Sequence, residues 1–306
     1  RDLGVSNYAG LGTFLLKVNS EGGLEREDVF FPFELGSINY TNVSCNDGGV
    51  LMLSESYSSN ELVDITKLDL NGNQLWSKKL NYRVRNIIQS SDDFFYLTGM
   101  HSGKMCVAKI DSEGNELWVK TYDFLIGQDI ISLSNGDCLV VGSKSASSSN
   151  GGVVLSKINA SGNVEFTKTI GNEMNISQPK INYTTDGNFM INYIDYNTSE
   201  NKMYSHFCKI DTNGDSIMSK KIEGHNAIYT TDNNFIVSSS NNNLIKYDFN
   251  ENLIWSTPYS NEINSMKEDS QGNIVITGAK SESSNTNKVW FLKLNNNGDI
   301  LIDKTF

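Results

Sequence analysis

Three histidines are the most readily recognised candidates for chemistry in this sequence. His101, His206 and His225 lie far apart, and none has the spacing of a metal site or the neighbours of a catalytic triad. His101 follows the end of a predicted strand and is the best single candidate for a catalytic or ligand-binding role. No other catalytic residue is assigned, and neither a metal nor a cofactor is expected.

Cysteines and acidic turns give equally little support to a metal site. The four cysteines form no CxxC pair, and Cys106, Cys138 and Cys208 lie in apolar runs, so buried thiols are expected there. The turns DLNGN, DSEGN and DTNGD contain the first positions of a calcium loop but lack the acidic residue that completes one. Ordinary Asx turns explain them.

Composition excludes some classes of function. The chain has 306 residues, with 25 Lys and Arg against 36 Asp and Glu, and a formal charge of -11. A nucleic-acid-binding protein needs a basic face, so nucleic acid is not an expected partner. No apolar stretch approaches the ~18 residues of a membrane span. The chain begins at Arg1 without Met or an apolar leader, so we expect an export leader to have been removed or trimmed.

A repeated phrase organises the whole chain. An apolar run is followed by Lys, an apolar residue, Asp or Asn, two further residues and, in most copies, Gly. The aligned lysines are Lys17, Lys67, Lys109, Lys157, Lys209, Lys246 and Lys293, at intervals of 50, 42, 48, 52, 37 and 47 residues. A second phrase, a polar turn before an apolar run ending in small residues, precedes all but the first copy.

Each repeat therefore predicts four short antiparallel strands joined by tight turns, because Gly and Asn accept the positive φ that such turns require. Four strands per ~46 residues is typical of a β-propeller. We predict one all-β propeller domain over 1–306. Its repeats are approximately 1–30, 36–80, 84–122, 128–170, 178–222, 226–258 and 262–306.

The number of blades depends on the N-terminus. Residues 1–30 supply the third and fourth strands of a first repeat, and Asp2–Tyr8 is a candidate second strand. We predict seven blades with an incomplete, three-stranded first blade. Six blades with an N-terminal hairpin docked on them are the alternative.

Two columns of residues are predicted to be structural. The fourth residue after the turn Gly is interpreted as an inter-blade anchor. In the second to seventh repeats this residue is, in chain order, Trp76, Trp118, Phe166, Met218, Trp255 and Ile302. Glu251 replaces the Gly before Trp255, and Arg26 occupies the anchor position in the first repeat. The repeated lysines are expected to pair with the aspartate two residues later, as in Lys67/Asp69, Lys109/Asp111 and Lys209/Asp211.

These phrases resemble a known family. ITKLDLNGNQLWSKKL, VAKIDSEGNELWVKTY and GNIVITG followed by KVWFLKLNNNGDILIDKTF are similar to bacterial SBBP-type β-propeller repeats, with a looser similarity to quinoprotein-like and WD-repeat-like propellers. The resemblance covers almost the whole chain. It implies the fold and an exported bacterial protein, at the cell surface, in the periplasm or secreted, with a lipoprotein among the options. The Asn-, Ser- and Lys-rich composition is similar to that of envelope proteins of Bacteroidetes-like bacteria.

Candidate binding residues lie on one predicted face. The second-to-third loops and the inter-blade connections vary in length, and function concentrates on variable loops held by a rigid scaffold. The candidate ligand-binding residues on this face are Tyr57, Tyr82, Arg83, Arg85, His101, Tyr122 and Tyr196. Aromatic rings beside polar groups suit a glycan or peptide.

We therefore expect a monomeric, non-enzymatic binding propeller of the cell envelope, with a glycan or protein ligand on the variable-loop face. One alternative is a hydrolase or lyase with its site at the mouth of the central channel. The other is a structural scaffold domain of a larger protein.

Overall fold

The computed structural model describes residues 13–19, 21–30, 37–56, 63–123, 126–143, 152–171, 173, 176–283 and 286–306. These residues form one two-stranded and six four-stranded sheets, and every strand pairs antiparallel with its sequence neighbour in the same sheet. Each four-stranded sheet is a simple meander, as in a propeller blade. We number these sheets blades 1 to 6 in chain order.

In the N-terminal half, the two-stranded sheet contains β1 (Thr13–Val18) and β2 (Leu24–Phe30), and blade 1 contains β3 (Ser37–Ser44), β4 (Val50–Ser56), β5 (Val63–Leu68) and β6 (Gln74–Leu80). Blade 2 contains β7 (Arg83–Gln89), β8 (Phe95–His101), β9 (Lys104–Ile110) and β10 (Glu116–Tyr122). Blade 3 contains β11 (Ile126–Ser132), β12 (Cys138–Ser143), β13 (Val153–Ile158) and β14 (Val164–Ile170).

In the C-terminal half, blade 4 contains β15 (Ile176–Tyr183), β16 (Phe189–Asn197), β17 (Lys202–Ile210) and β18 (Ser216–Glu223). Blade 5 contains β19 (His225–Tyr229), β20 (Phe235–Ser238), β21 (Asn243–Tyr247) and β22 (Leu253–Pro258). Blade 6 contains β23 (Glu262–Glu268), β24 (Ile274–Ser283), β25 (Thr286–Leu294) and β26 (Ile300–Thr305).

The seven-blade prediction is wrong, and the alternative of six blades with an N-terminal hairpin describes the strands correctly. Within the described residues, β1 and β2 pair only with each other, so the first repeat contributes a hairpin rather than a blade. The candidate strand Asp2–Tyr8 lies outside the described residues. The repeat phrase occurs seven times because the hairpin carries the same third-to-fourth turn as the blades.

The chain packs as two compact units. The first comprises residues 1–18, 24–144 and 154–168, and the second comprises 19–23, 145–153 and 169–306. In the first unit, one core cluster combines buried residues of blades 1 and 2, including Leu51, Ile65, Ile87 and Phe95. In the second unit, Phe207 of blade 4 packs against Phe235 of blade 5, with ring centroids 4.7 Å apart.

Both turns of each blade share one hydrogen-bonding pattern. In blade 1, Cys45 N donates to Gly49 O and Gly48 N donates to Cys45 O, and Asp69 N bonds Asn73 O in the same way in the second turn. This is a type I turn closed by a residue with positive φ, which explains the Gly. Asp69 Oδ1 also accepts from the backbone of Asn71 and Asn73, which is the expected Asx turn.

The anchor column joins consecutive blades within each unit. The indole N–H of Trp76 donates to Ser112 O, that of Trp118 to Ala160 O, and that of Trp255 to Asn296 O, at 2.9–3.1 Å. Each acceptor lies in the third-to-fourth turn of the next blade. In the second unit, Met218 packs on the blade 4–5 core, and Ile302 contacts the turn at Gly22. Phe166 of blade 3 has the Lys168 ammonium over its ring.

The repeated lysines are largely buried and pair with a different aspartate from the one expected. Lys67 bonds Asp47 at 2.8 Å, Lys209 bonds Asp186 at 2.6 Å and Lys293 bonds Asp269 at 2.9 Å. These aspartates belong to the first-to-second turn, whereas Asp69 is engaged by its own turn. Lys109 instead lies over the Phe94 ring at 4.1 Å. The fourth strand carries a β-bulge opposite this point in blades 1, 2, 4, 5 and 6, so the register shifts between the lysine and the residue after it.

Candidate functional site

The first strand of every blade carries a β-bulge. The register shifts at Asn39/Thr41, Val84/Asn86, Gly127/Asp129, Ser177/Lys180, His225/Ile228 and Ile263/Ser265. In the first unit, polar side chains next to these bulges form a hydrogen-bonded chain from Thr41 through Asn86 to Asp129. Bulges turn side chains away from the regular alternation of a strand. The repeat therefore places polar groups along its first strands.

A small polar cavity lies along the first strands of blades 4, 5 and 6. Its lining includes Lys180, Asn192, Asn226 and Ser265, and its volume is about 20 Å³. Asn192 is buried and donates to Ala227 O at 3.3 Å. A volume of this size holds about one water molecule, so this cavity is not a site for an organic ligand.

A larger cleft lies between blades 1 and 2, at the end of the blades that carries the short turns. Its volume is about 530 Å³, within the range typical of small-molecule sites. It is lined by Asn46, Asp47, Lys67, Leu75, Trp76, Gln89, Asp93, Phe95, Ser112 and Glu113. All ten belong to the first unit, and they come from the tight turns and the strand ends next to them.

The apolar part of the cleft is provided by the beginning of β6. Leu75 is 57% exposed, although it lies next to the anchor Trp76. The Trp76 indole is held in place by its hydrogen bond to Ser112 O and by the close approach of Gly114, where an added Cβ would lie 2.8 Å from the ring. A fixed aromatic ring beside an exposed aliphatic side chain gives this cleft a rigid apolar wall.

The polar part of the cleft is organised around Asp93. Its Oδ1 accepts from Asn46 Nδ2 at 2.8 Å and from Gln89 Nε2 at 3.2 Å, while Gln89 Oε1 accepts from Asn46 N at 2.7 Å. Asp93 has φ of 63°, so it replaces the usual turn glycine. These amides and carboxylates come from different turns and are held in fixed positions before any ligand binds.

The cleft carries an excess of negative charge. Asp47, Asp93 and Glu113 contribute three carboxylates, and Lys67 contributes one ammonium that is paired with Asp47. The hydrogen bond from Lys67 and that from Gly49 N hold the pKa of Asp47 below its ordinary value. Asp47 therefore remains ionised at neutral pH, and the cleft disfavours anionic ligands.

The candidate residues of the variable-loop face are distributed over two units. Tyr82, Arg83, Arg85, His101 and Tyr122 lie in or beside blade 2, and Tyr196 lies in blade 4 of the second unit. Tyr57 lies outside the described residues. None of those described lines the cleft between blades 1 and 2.

Several of these candidates have structural contacts. Tyr82 is 1% exposed and belongs to the core of blades 1 and 2, so its ring is not available at the surface. The rings of His101 and Tyr82 are nearly perpendicular with centroids 6.3 Å apart, and His101 Nδ1 lies 3.1 Å from Asn81 O. Tyr122 donates to Gly162 O at 2.9 Å. Tyr196 is exposed and donates to Asn201 Oδ1.

Arg83 and Arg85 begin β7 and are half-buried, with Arg85 at the bulge. The sequence analysis favoured the variable loops and therefore missed the cleft, whose polar residues lie in and beside the short turns. One signal was present: the first-to-second turn of blade 2 has Asp93 where most of these turns have Gly.

The comparisons with known proteins identify the fold and no family. No protein-family model and no curated protein matches the chain by sequence. Among solved structures, puromycin hydrolase is similar with a TM-score of 0.61 and 11% identity over 96% of this chain and 50% of that one. The Dos1 propeller is similar with a TM-score of 0.58 and 13% identity over 95% of this chain and 74% of that one. BamB from Moraxella catarrhalis is similar with a TM-score of 0.56 and 12% identity over 93% of this chain and 80% of that one.

The fold is a β-propeller. At 11–13% identity, these similarities extend to the fold alone, and the proteins concerned differ in kind. No helix in the described part of the chain could cross a membrane. Within the same residues, no group of three or more His, Cys, Asp or Glu side chains could hold a metal ion.

Proposed function

We propose that this propeller is a non-enzymatic binding protein that holds a neutral or amino-bearing saccharide in the cleft between blades 1 and 2. The observation that carries the proposal is a cleft of about 530 Å³ lined both by Trp76 and Leu75 and by amides and carboxylates. Sugar rings have apolar faces and polar rims, so they need an aromatic or aliphatic surface beside fixed hydrogen-bonding groups.

The charge of the cleft narrows the ligand class. Three carboxylates against one paired lysine favour hydroxyl or ammonium groups over a uronic acid. Such a ligand is consistent with a protein acting outside the cytoplasm, in the cell envelope or secreted, which we propose on the resemblance of the repeats. The site lies on the short-turn end of the blades rather than on the variable-loop face favoured by the sequence.

The test is a screen of the chain against neutral, amino and uronic-acid oligosaccharides, followed by calorimetry with the strongest binder. We expect binding to neutral or amino sugars. Gln89→Ala should raise the dissociation constant about tenfold, because a lost hydrogen bond between protein and ligand costs roughly 1 kcal/mol or somewhat more. Asp93→Asn keeps a residue that tolerates the positive φ and should selectively weaken an amino sugar.

Asn233→Asp is the matched control, because Asn233 occupies the same turn position in blade 5 with φ of 63° and lies outside the cleft. It should leave binding unchanged. Failure of every sugar class to bind, or binding that Gln89→Ala and Asp93→Asn leave unaltered, would overturn the proposal.

A further inference from the structure

The outer end of the β16–β17 hairpin in blade 4 contains a cluster of charged and aromatic side chains. Tyr193, His206 and Lys221 lie opposite one another on β16, β17 and β18. Two residues further out, Asp195, Tyr204 and Glu223 form a second row on the same face of the sheet. We call these two rows, with Glu173, the His206 cluster.

His206 is the centre of the cluster and is only 5% exposed. Its ring stacks on Tyr193 with centroids 4.7 Å apart and planes at 8°. Its Nδ1 lies 3.6 Å from Glu173 Oε1, and its Nε2 lies 3.8 Å from Asp195 Oδ2. Among the described residues, Nε2 has no hydrogen-bond partner. The imidazole is therefore enclosed between two carboxylates without being tightly bonded to either.

The surroundings of His206 are closely packed. The hydroxyl of Tyr193 donates to Glu173 Oε2 at 2.9 Å, which holds Glu173 over the ring. Gly171 approaches the same two groups so closely that an added Cβ would collide with Tyr193 Oη and Glu173 Oε2. Water cannot hydrate the imidazole unless Tyr193, Glu173 or the hairpin end moves.

Other charged and titratable groups face His206 from each neighbouring strand. Lys221 on β18 lies 3.8 Å from Asp195 and over the Tyr204 ring at 4.1 Å. Tyr204 on β17 donates to Glu200, and Lys202 pairs with Glu223 at 2.6 Å. The thiol of Cys208, two residues along β17, is buried and its pKa is raised by burial. Lys221 opposes protonation of His206, whereas Glu173 and Asp195 favour it.

Burial outweighs the two carboxylates. The loss of hydration lowers the pKa of His206 below its ordinary value of 6.5, although Glu173 and Asp195 act to raise it. Burial dominates because the nearest oxygens of Glu173 and Asp195 lie 3.6 and 3.8 Å from the ring nitrogens, beyond ordinary hydrogen-bond distance. The imidazole is therefore neutral at neutral pH, and its protonation in the native packing is unfavourable.

We propose that the His206 cluster is a pH-sensitive switch that opens the outer end of the β16–β17 hairpin under mildly acidic conditions. Protonation places a cation in an enclosed site, and the charge becomes hydrated when the outer pairs Asp195/Tyr204, Tyr196/Met203 and Asn197/Lys202 separate. The inner pairs from Phe189 to Asn192 lie against the blade core and stay closed. The device changes the surface around Tyr196 and is independent of the saccharide cleft.

The experiment is an NMR titration of the whole chain from pH 7.5 to 4.5, with hydrogen-exchange protection factors measured at both ends. We expect the His206 ring signals, assigned by their loss in His206→Gln, to titrate below pH 6.5. Protection factors at the outer pairs should fall at least tenfold on acidification, while those of Phe189–Asn192 stay constant. In His206→Gln the outer pairs should keep their protection at low pH.

Asp195→Asn gives a second test that does not remove the histidine. Loss of the carboxylate that favours the imidazolium should shift the His206 titration to lower pH. His101→Gln is the control for removing an imidazole elsewhere. A His206 midpoint at or above 6.5, an unchanged midpoint in Asp195→Asn, or equal loss of protection in His206→Gln and the wild type would overturn the proposal.

Discussion

The repeated lysine shows at the scale of one residue how this fold uses charge. Lys246 is 1% exposed, bonds Asp232 at 2.6 Å and also contacts Asn296 of the next blade. A buried ammonium is stable only when its donors find acceptors, and here two turns provide them. The lysine therefore ties the first-to-second turn of its own blade to the third-to-fourth turn of the blade that follows.

Removing this ammonium should be costly. We expect Lys246→Met to lower the free energy of unfolding by about 1–3 kcal/mol, because Asp232 and Asn296 lose a donor while Asp232 remains partly hydrated. Lys79→Met is the control: Lys79 is exposed and 3.8 Å from Asp64, so its loss should cost below about 0.5 kcal/mol. Urea unfolding measures both, and equal costs would show that burial of Lys246 has no energetic role.

The same contact predicts a pH dependence. Burial alone would raise the pKa of Asp232, but hydrogen bonds from Lys246, Thr230 and Asn296 outweigh it and lower the pKa to about 2. The unfolded chain has the ordinary value of 3.8, so this stabilisation is complete above pH 3.8 and is lost as the pH falls towards 2.

Stability measured from pH 6 to pH 2.5 should therefore decrease more steeply in the wild type than in Asp232→Asn, which cannot titrate at this position. Both chains retain every other acidic group, so the difference between the curves isolates Asp232. Parallel curves would contradict the assignment.

At the scale of the element, the third-to-fourth turn is a docking point as well as a connection. The Trp76 ring packs closely against Gly114, and the Trp255 ring packs closely against Gly298. A Cβ added at Gly298 would lie 2.7 Å from the Trp255 ring. The turn glycine thus meets two requirements, a positive φ and room for the anchor of the preceding blade. In blade 5, Glu251 adopts φ of 69° instead and bonds Lys220 at 2.9 Å.

The two requirements can be separated by substitution. Gly103 has φ of 75°, and no atom of the described residues lies within 4 Å of an added Cβ, whereas Gly114 has φ of 78° and faces Trp76. We expect Gly103→Ala to cost about 1–2 kcal/mol from backbone strain alone. Gly114→Ala should cost a further ~1–3 kcal/mol, because the Trp76 ring must move. Equal unfolding midpoints for the two variants would show that the anchor does not depend on this turn.

Element type was the part of the fold most accessible from the sequence. The alternation of apolar runs with Asn-Gly and Asp-Gly corners predicts the four strands of each blade, and the structure has them. The lysine partners were not accessible from the sequence. Asp69 is engaged by the backbone of its own turn, and Lys67 instead meets Asp47, which strand pairing brings from the first-to-second turn.

At the scale of the whole molecule, the repeat number and the blade number differ. Seven copies of the lysine phrase are present, but the first copy forms the β1–β2 hairpin, so the described residues form six four-stranded blades. A count of repeats identifies turns, and it does not establish that each turn belongs to a complete sheet.

The candidate site was less predictable than the fold for a related reason. The cleft combines Asn46 and Trp76 of blade 1 with Gln89 and Asp93 of blade 2, which are brought together only by the packing of two repeats. The His206 cluster depends on pairing between β16, β17 and β18, where His206 alone was visible as an isolated histidine. Both sites are properties of packed blades rather than of local motifs.

The most direct test of the central claim is an amide and indole NMR titration of the labelled chain with a mixture of neutral and amino oligosaccharides. We predict that the Trp76 indole signal and the amides of Gln89, Asp93 and Ser112 shift with sugar concentration, while the Trp118 and Trp255 indoles do not. Spectra that remain unchanged, or shifts confined to residues such as Tyr122 and Tyr196 on the variable-loop face, would contradict the account.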